Sequence, residues 1–218
     1  VRGALVPGTV DEPEPGVRRY RYGQVIDGIS IWKVAVELEE RPVGGTTEWT
    51  GRLVNNDRGI RVTGFEGPYY AGVETVRGLS TLYVPDGLGR RVANFPRSDD
   101  PSLKPVPGES VRFVRSGWYR GRDARPVYAT GFYPGSSGIT MPWFAMDGEE
   151  CGVYAGSHDP VVKPKRILVR WDAPAHRSDL AFAHALSLRP GETFDLGKLV
   201  PRHRLEMGEV KPAFVFVH

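Results

Sequence analysis

Cysteine is nearly absent from this sequence, because Cys151 is the only one among 218 residues. A single cysteine excludes an internal disulfide and any zinc site built from several cysteines. Long apolar runs are absent as well, so we expect no transmembrane helix and no membrane partner. A chain of this length can still form a substantial hydrophobic core without disulfides or metals. None of these features indicates a cellular compartment.

An excess of charge of either sign is also lacking. Lysine and arginine number 29 against 26 acidic residues, which leaves a net charge of +3. A nucleic-acid-binding domain usually concentrates far more positive charge on one face. The hydrophobic fraction of 40% and the charged fraction of 25% are typical of a folded globular protein. Nucleic acid is therefore not the expected partner.

The sequence signatures of common catalytic and metal sites are missing. There is no Gly-x-Ser-x-Gly elbow, no phosphate-binding glycine loop and no metal-ligand spacing among the five histidines. Ser157, His158 and Asp159 are triad residue types, but neighbours in a strand point to opposite faces. His184 lies among leucines and is predicted to be a buried neutral imidazole with one hydrogen bond. We expect no catalytic set, metal or cofactor, although the fold could still pair two carboxylates.

Turn-forming residues and alternating apolar positions are what the sequence does contain. Its 27 glycines and 19 prolines are spread along the chain and indicate many turns between short strands. The segment 31–38 alternates apolar and polar residues, as in a half-buried strand. The alanines of 179–188 would also suit a helix, but Leu180, Phe182, His184, Leu186 and Leu188 alternate strictly, so a strand is preferred. Further predicted strands are 49–54, 60–65, 80–84, 110–114, 126–132, 140–146, 152–157, 166–171, 193–196 and 213–217. The pattern predicts an all-β fold, a large antiparallel β-sandwich.

The order of these segments predicts the domain organisation. Residues 1–17 contain Pro7, Pro13 and Pro15 and are predicted to be an irregular segment, followed by a single β-sandwich domain over 18–218. The strands 49–54 and 60–65 flank an Asn/Asp/Gly-rich stretch and are predicted to form a hairpin. Residues 94–109 are proline-rich and are predicted to be a long loop.

One segment interleaves arginines with aromatic residues. Such a mixture could stack bases or bind an anionic sugar. The structural interpretation, which we favour, is a strand, a turn and a second strand with arginine stems across aromatic faces. The members are Arg112, Phe113, Arg115, Trp118, Tyr119, Arg120, Arg122, Arg125 and Tyr128.

Two stretches of the sequence carry a resemblance to a known family. The first is EWTGRLVNN at 48–56 with FEGP at 65–68, and the second is MPWFAMD at 141–147 with GVYAGSHDP at 152–160. Together they resemble the N-terminal super-sandwich, of galactose-mutarotase-like fold, in a family of bacterial glycoside-hydrolase-like proteins. In that family a (β/α)8 barrel follows the sandwich, as in the family 36 α-galactosidases. This sequence departs from the family at Pro142, where the family often has glutamine.

The resemblance implies a non-catalytic, carbohydrate-facing domain of a glycoside hydrolase, because the catalytic acids of the family lie in the barrel. Its partners would be a carbohydrate and the catalytic barrel of the same polypeptide. The candidate carbohydrate-binding residues are Trp118, Tyr119, Trp143, His158 and Asp159. Three other tryptophans lie on apolar strand faces and are predicted to be core residues: Trp32, Trp49 and Trp171.

Two alternatives stay open, and with them the question of whether the chain is an enzyme. The first is a stand-alone aldose epimerase or isomerase of the same fold, with histidine and a carboxylate as acid and base. The sequence lacks the Asn-His motif that mutarotases of this fold present. The second alternative is an anionic-glycan or nucleic-acid binding module that uses the arginine and aromatic segment.

Overall fold

Strands make up all the regular secondary structure in the described part of the chain. The computed structural model describes residues 2–74, 81–85, 89–93, 117–120, 125–134, 139, 141–147, 152–159, 162–172, 177–203, 210–211 and 214–217. Within these ranges, no helix is long and apolar enough to cross a membrane. In chain order the strands are β1 (Arg2–Leu5), β2 (Thr9–Glu14), β3 (Val17–Tyr22), β4 (Val25–Ile26), β5 (Ile31–Trp32), β6 (Val34–Val43), β7 (Thr46–Asn55), β8 (Val62–Glu74), β9 (Thr81–Val84), β10 (Arg90–Ala93), β11 (Gly117–Arg120), β12 (Pro126–Ala129), β13 (Trp143–Asp147), β14 (Gly152–Ser157), β15 (Lys165–Asp172), β16 (Arg177–Leu188), β17 (Thr193–His203), β18 (Val210–Lys211) and β19 (Phe214–Val217).

These strands form two antiparallel sheets. Sheet A has ten strands in the order β11-β12-β15-β16-β8-β19-β1-β4-β5, with β18 also paired to β8. Sheet B has nine strands in the order β10-β9-β13-β14-β17-β7-β6-β3-β2. Neighbours in sequence often lie in different sheets, so much of the chain crosses between the two layers.

The hydrophobic core lies between the two sheets. Strand β6 of sheet B buries Val34, Val36 and Leu38, as its alternation predicts. Phe144 of sheet B contacts Phe182 of sheet A with ring centroids 5.5 Å apart, so side chains of the two sheets interdigitate. Each such fully buried side chain contributes about 1.5–3 kcal/mol to folding. The predicted antiparallel β-sandwich is confirmed.

Most predicted strands are present with shifted ends. The segment 179–188 is part of β16, and the turn after it has Gly191 at φ +81°, which suits glycine. Of the predicted core tryptophans, Trp49 and Trp171 are buried, and Trp32 packs partly buried against the core. The predicted loop 94–109 and the predicted strand 110–114 lie outside the described residues.

The prediction of an irregular segment over 1–17 is wrong. Strand β1 pairs with β19 and β4 inside sheet A, and β2 pairs with β3 at the edge of sheet B. Pro13 lies within β2, where the register shifts between Asp11 and Glu14. An edge strand tolerates proline because the missing N–H leaves no ladder hydrogen bond unmade.

The predicted strand 31–38 is two strands in different sheets. Strand β5 belongs to sheet A and β6 belongs to sheet B, with the crossing at Lys33. The Asp57 carboxylate accepts a hydrogen bond from the Lys33 backbone N–H at 3.1 Å, which satisfies a donor that neither sheet uses. The alternation of apolar residues continues through the crossing because both strands face the same core.

The predicted hairpin between 49–54 and 60–65 is also wrong. Strand β7 pairs with β6 and β17, whereas β8 pairs with β16, β18 and β19, so the connection crosses from sheet B to sheet A. Asn55 is fully buried there, and its Nδ2 donates to the carbonyls of Ile60 at 3.0 Å and Leu188 at 3.1 Å. The hairpin partner of β7 is β6, joined through Gly44 and Gly45, which both have positive φ.

Candidate functional site

Strands β13 and β14 form a hairpin whose two faces differ sharply. Phe144 and Met146 point into the core and are buried. Trp143 pairs with Gly156, and Ala145 pairs with Tyr154, on the opposite face. Directly opposite residues of an antiparallel pair project to the same side. Trp143, Ala145 and Tyr154 are therefore on the outer face of sheet B, and all three are partly exposed.

A third ring extends this outer surface by one strand. Tyr83 in β9 pairs with Ala145, so Tyr83, Ala145 and Tyr154 form a row across three strands. Trp143 stacks on Tyr154 with ring centroids 6.1 Å apart and an interplanar angle of 26°. Offset stacking of this kind is a favoured aromatic geometry. We call Tyr83, Trp143 and Tyr154, together with the small residues Ala145 and Gly156, the aromatic platform.

Gly156 makes room for the groups that border the aromatic platform. A Cβ at this position would lie 2.6 Å from the Tyr154 hydroxyl oxygen and 3.0 Å from His158 Nε2. Both polar atoms therefore lie over the bare Cα of Gly156. His158 is exposed, and its backbone N–H donates to the Lys198 carbonyl at 2.7 Å, which fixes the chain at the end of β14.

The side chains on either side of His158 point the other way. Lys165 Nζ donates to Ser157 Oγ at 2.7 Å and contacts the Asp159 carboxylate, and Ser157 Oγ donates to Asp159 Oδ1 at 3.0 Å. Burial lowers the pKa of Lys165 to about 7, and the adjoining Asp159 carboxylate opposes that change. The side chain of Asp159 is only 4% exposed. Asp159 is thus part of an internal ion pair and does not border the aromatic platform.

His184 lies opposite Lys165 on β16 and also points into the core. Its ring lies between Phe65 and Phe194, with centroid distances of 6.2 Å and 5.9 Å. Burial, together with the nearby Lys165 and Lys163, holds the pKa of His184 well below its usual value of 6.5. The predicted buried, neutral imidazole is confirmed. The predicted hydrogen bond is not found, because neither ring nitrogen has a hydrogen-bond partner in the part of the chain that the structure describes.

The other two sequence-predicted site residues lie in the other sheet. Trp118 and Tyr119 belong to β11 at the edge of sheet A, and the side chain of Trp118 lies outside the described residues. Tyr119 pairs with Val127 and packs against a small apolar cluster on the outer face of sheet A. The structure therefore brings Trp143 and His158 together and separates both from Tyr119.

The arginine and aromatic segment does not form one described surface. Tyr128 is buried in the core, Arg120 is exposed, and Arg125 is partly exposed. Tyr128 therefore presents no ring to a ligand, which agrees with a structural role for this residue. The remaining members, Arg112, Phe113, Arg115 and Arg122, lie outside the described residues.

A polar cluster on the outer face of sheet A is a feature that the sequence patterns did not reveal. Arg170 Nη2 forms an ion pair with Glu66 Oε2 at 2.7 Å, and both side chains are at most 10% exposed. Arg166 Nε donates to the Thr130 carbonyl at 2.7 Å, and its Cζ lies 4.7 Å from the centroid of the Phe132 ring. Arginine side chains usually face solvent, yet both of these are buried. Among the described residues, no group of three histidine, cysteine or acidic residues could hold a metal ion.

Comparisons with known proteins give a likeness of fold. No protein-family model matches the chain, and no curated protein matches it in sequence. A candidate aldose 1-epimerase from Escherichia coli K12 is similar in structure, with 12% identity and a TM-score of 0.44 over 90% of this chain and 68% of that one. The galactosidase domain of the α-galactosidase–sucrose kinase AgaSK is similar at 10% identity and a TM-score of 0.42, over 92% of this chain and 25% of that one. Similarity at this level concerns the sandwich alone and assigns no activity.

Proposed function

We propose that this chain is a non-catalytic, carbohydrate-facing β-sandwich domain that binds a glycan on the aromatic platform. The observation that carries the proposal is the Trp143–Tyr154 stack on the outer face of sheet B, where both rings are partly exposed. Sugar rings present flat C–H faces that pack on aromatic rings, and their hydroxyl groups need polar partners at the rim. The Tyr154 hydroxyl and His158 Nε2 lie at that rim, above Gly156.

The aromatic platform is suited to binding because a rigid scaffold holds it. Its rings project from paired strands of one sheet, and Phe144 and Met146 anchor the same hairpin in the core. Side chains that are fixed before binding lose little conformational freedom when a ligand arrives. The proposed domain comprises the predicted range 18–218 together with β1 and β2, which precede that range and belong to the two sheets.

The position of Asp159 supports the non-catalytic part of the proposal. An epimerase needs an acid and a base that both reach the sugar. His158 faces outward, whereas Asp159 is turned inward against Lys165 and Ser157. His158 and Asp159 are therefore on the two sides of sheet B and cannot act together as acid and base on one sugar.

We further propose that the sandwich packs against a (β/α)8 barrel in its parent protein, as the resemblance implies. Met141 and Val162, each 56% exposed, flank the hairpin and the His158–Asp159 segment in the sequence. A barrel that covers these two side chains would remove their apolar surface from water, which would favour the packing. The coding sequence beyond His218 tests this part: alternating strand and helix patterns would support it, and a frame that closes within a few codons would contradict it.

Glycan binding is tested by titrating the chain with galactose and glucose oligosaccharides in a calorimeter. We expect Trp143→Ala to weaken the affinity about 3- to 10-fold, because an aromatic contact contributes about 0.5–1.5 kcal/mol. Tyr119→Ala is the matched control, since it removes a partly buried ring on sheet A. Thermal unfolding of each variant shows whether the fold is retained. Binding to none of the oligosaccharides, or equal losses in the two variants, would contradict the proposal.

A further inference from the structure

We propose that the aromatic platform takes an acidic glycan, and that Arg91 binds the anionic group of that glycan. This inference rests on the proposed glycan binding and specifies the chemical class of the ligand. It depends on the position of Arg91 in sheet B, on the absence of a described partner for its guanidinium group, and on the spacing between its strand and the strands that hold the stacked rings.

Arg91 extends the row of the aromatic platform by one more strand. It lies in β10 directly opposite Tyr83, which in turn pairs with Ala145, and Ala145 pairs with Tyr154. Directly opposite residues share a face, so Arg91 projects from the same outer surface as the rings. Arg91 is exposed, whereas Tyr83 and Tyr154 are partly exposed.

The arginines on the other half of the same face differ from Arg91 in their partners. Each of them forms at least one ion pair with a carboxylate of strand β2 or β6. These pairs are Arg19–Glu39, Arg21–Asp11, Arg21–Glu37, Arg41–Glu14, Arg41–Glu39 and Arg52–Glu37. For Arg91, the described part of the chain provides no ion-pair or hydrogen-bond partner. On one half of the outer face of sheet B, the arginines are thus neutralised by ion pairs. On the other half, the guanidinium group of Arg91 lies on the same face as the partly exposed rings.

The spacing fits a chain of sugars better than a single one. Neighbouring strands lie about 4.8 Å apart, so Arg91 and Tyr154 are separated by roughly 14 Å across three strand spacings. Ala145 lies between the two tyrosines, and its short side chain leaves space above the sheet there. A glycan lying along this row would place one ring on Trp143 and Tyr154 and another near Tyr83 and Arg91.

The chemistry of Arg91 selects an anion at that end of the row. A guanidinium group matches the planar geometry of a carboxylate and can donate two parallel hydrogen bonds to it. A uronate or a sulfated sugar supplies the anion, and the aromatic rings provide a stacking surface for the sugar rings of the same glycan.

The test compares oligogalacturonate with a neutral galactose oligosaccharide of equal length and with a sulfated one. We expect the wild-type protein to bind an acidic oligosaccharide about fivefold more tightly than the neutral one, and Arg91→Gln to abolish that preference. Tighter binding of the uronate or of the sulfated sugar identifies the anion. Arg58→Gln is the matched control, because Arg58 is exposed in the connection between β7 and β8.

Three results would overturn the inference, and they differ in what they imply. Equal affinity for acidic and neutral oligosaccharides, unchanged in Arg91→Gln but weakened in Trp143→Ala, would remove the role of Arg91 and leave glycan binding intact. Binding of none of the three oligosaccharides would remove both. An acidic preference that Arg58→Gln reduces as much as Arg91→Gln would show a general charge effect and also contradict the inference.

Discussion

The Asp159 carboxylate lies directly against the Cα of Gly197, so that a side chain at Gly197 would overlap it. Gly197 has φ +79° and follows a register shift in β17 at Asp195. The shift creates the space into which Asp159 turns, and from there its carboxylate reaches Lys165. The bulge in one strand therefore determines that Asp159 faces inward while His158 faces outward.

This relationship predicts a large effect of Gly197→Ala. The methyl group would displace the Asp159 carboxylate and strain a backbone in the left-handed region, so we expect the free energy of unfolding to fall by about 3 kcal/mol. Gly191→Ala is the matched control, because Gly191 has φ +81° but no atom within 4 Å of a Cβ. It should lose only about 1–2 kcal/mol. Urea denaturation measures both, and equal losses would contradict the packing of Asp159 on Gly197.

Removal of the Asp159 carboxylate should destabilise the protein in a pH-dependent way. Asp159→Ala leaves the buried Lys165 without its counter-ion, and we expect a loss of about 3–5 kcal/mol at pH 7. The exposed pair Arg41–Glu14 gives a control, since Glu14→Gln should cost at most about 1 kcal/mol. Equal costs for the two substitutions would contradict the internal ion pair.

The sign of the pH effect in Asp159→Ala follows from the pKa of Lys165. Burial lowers that pKa from 10.5 to about 7 in the native protein, and the variant lacks the carboxylate that opposes this shift, so in this range the unfolded variant binds more protons than the folded one. The stability of the variant should therefore fall as the pH decreases from about 10.5 to about 7. Denaturation curves measured across this range check the direction, and a stability that rises toward pH 7 would contradict it.

Because the His184 imidazole is buried, we expect the protein to lose stability in mild acid. Its pKa is well below 6.5 in the folded chain, so the unfolded state takes up a proton first as the pH falls below about 6.5. Protonation of the folded state is opposed by Lys165 and Lys163, and the rings of Phe65 and Phe194 offer no hydrogen bond. The slope should reach about 1.4 kcal/mol per pH unit.

The matched variants for this prediction are His184→Phe and His158→Gln. His184→Phe should reduce the slope of stability against pH below about 6.5, because it removes the buried titrating group. His158→Gln changes an exposed histidine and should leave most of the slope in place. Denaturation at several pH values measures both slopes. An unchanged slope in His184→Phe would show that other groups cause the acid sensitivity.

Asn55 holds the connection between the two sheets, and its removal should be costly. Asn55→Ala leaves the carbonyls of Ile60 and Leu188 without their amide donor in a buried place, which should cost about 2–4 kcal/mol. The neighbouring Asn56 is exposed, so Asn56→Ala should change stability by less than about 0.5 kcal/mol. A loss in Asn55→Ala no larger than in Asn56→Ala would contradict this role.

The sequence predicted the fold class because alternation of apolar residues is a local signal. It predicted β6 and β16 from their own residues, but it did not predict which strands pair. The residues 55–59 have the composition of a hairpin turn, yet in the structure Asn55 and Asp57 bind the backbone at a crossing between sheets. The prolines before residue 16 indicated a loop, because proline does not show whether a strand lies at a sheet edge.

The candidate site was predictable only in part, for the same physical reason. Trp143 and His158 were predicted from the two neighbouring stretches 141–147 and 152–160. The hairpin of β13 and β14 brings them to one face. Tyr83 and Tyr154 were missed, because their place in the aromatic platform depends on the register of β9, β13 and β14. Asp159 could not be placed either, since its inward position follows from the bulge at Gly197 in a distant strand.

The most direct test of glycan binding on the aromatic platform is a titration followed by the indole N–H signals of the tryptophans in an NMR spectrum. An oligosaccharide that binds the protein should shift the signal of Trp143, which is partly exposed, and leave that of the buried Trp49 in place. Trp143→Ala assigns the signal. A bound oligosaccharide that leaves the Trp143 signal unmoved would contradict the account.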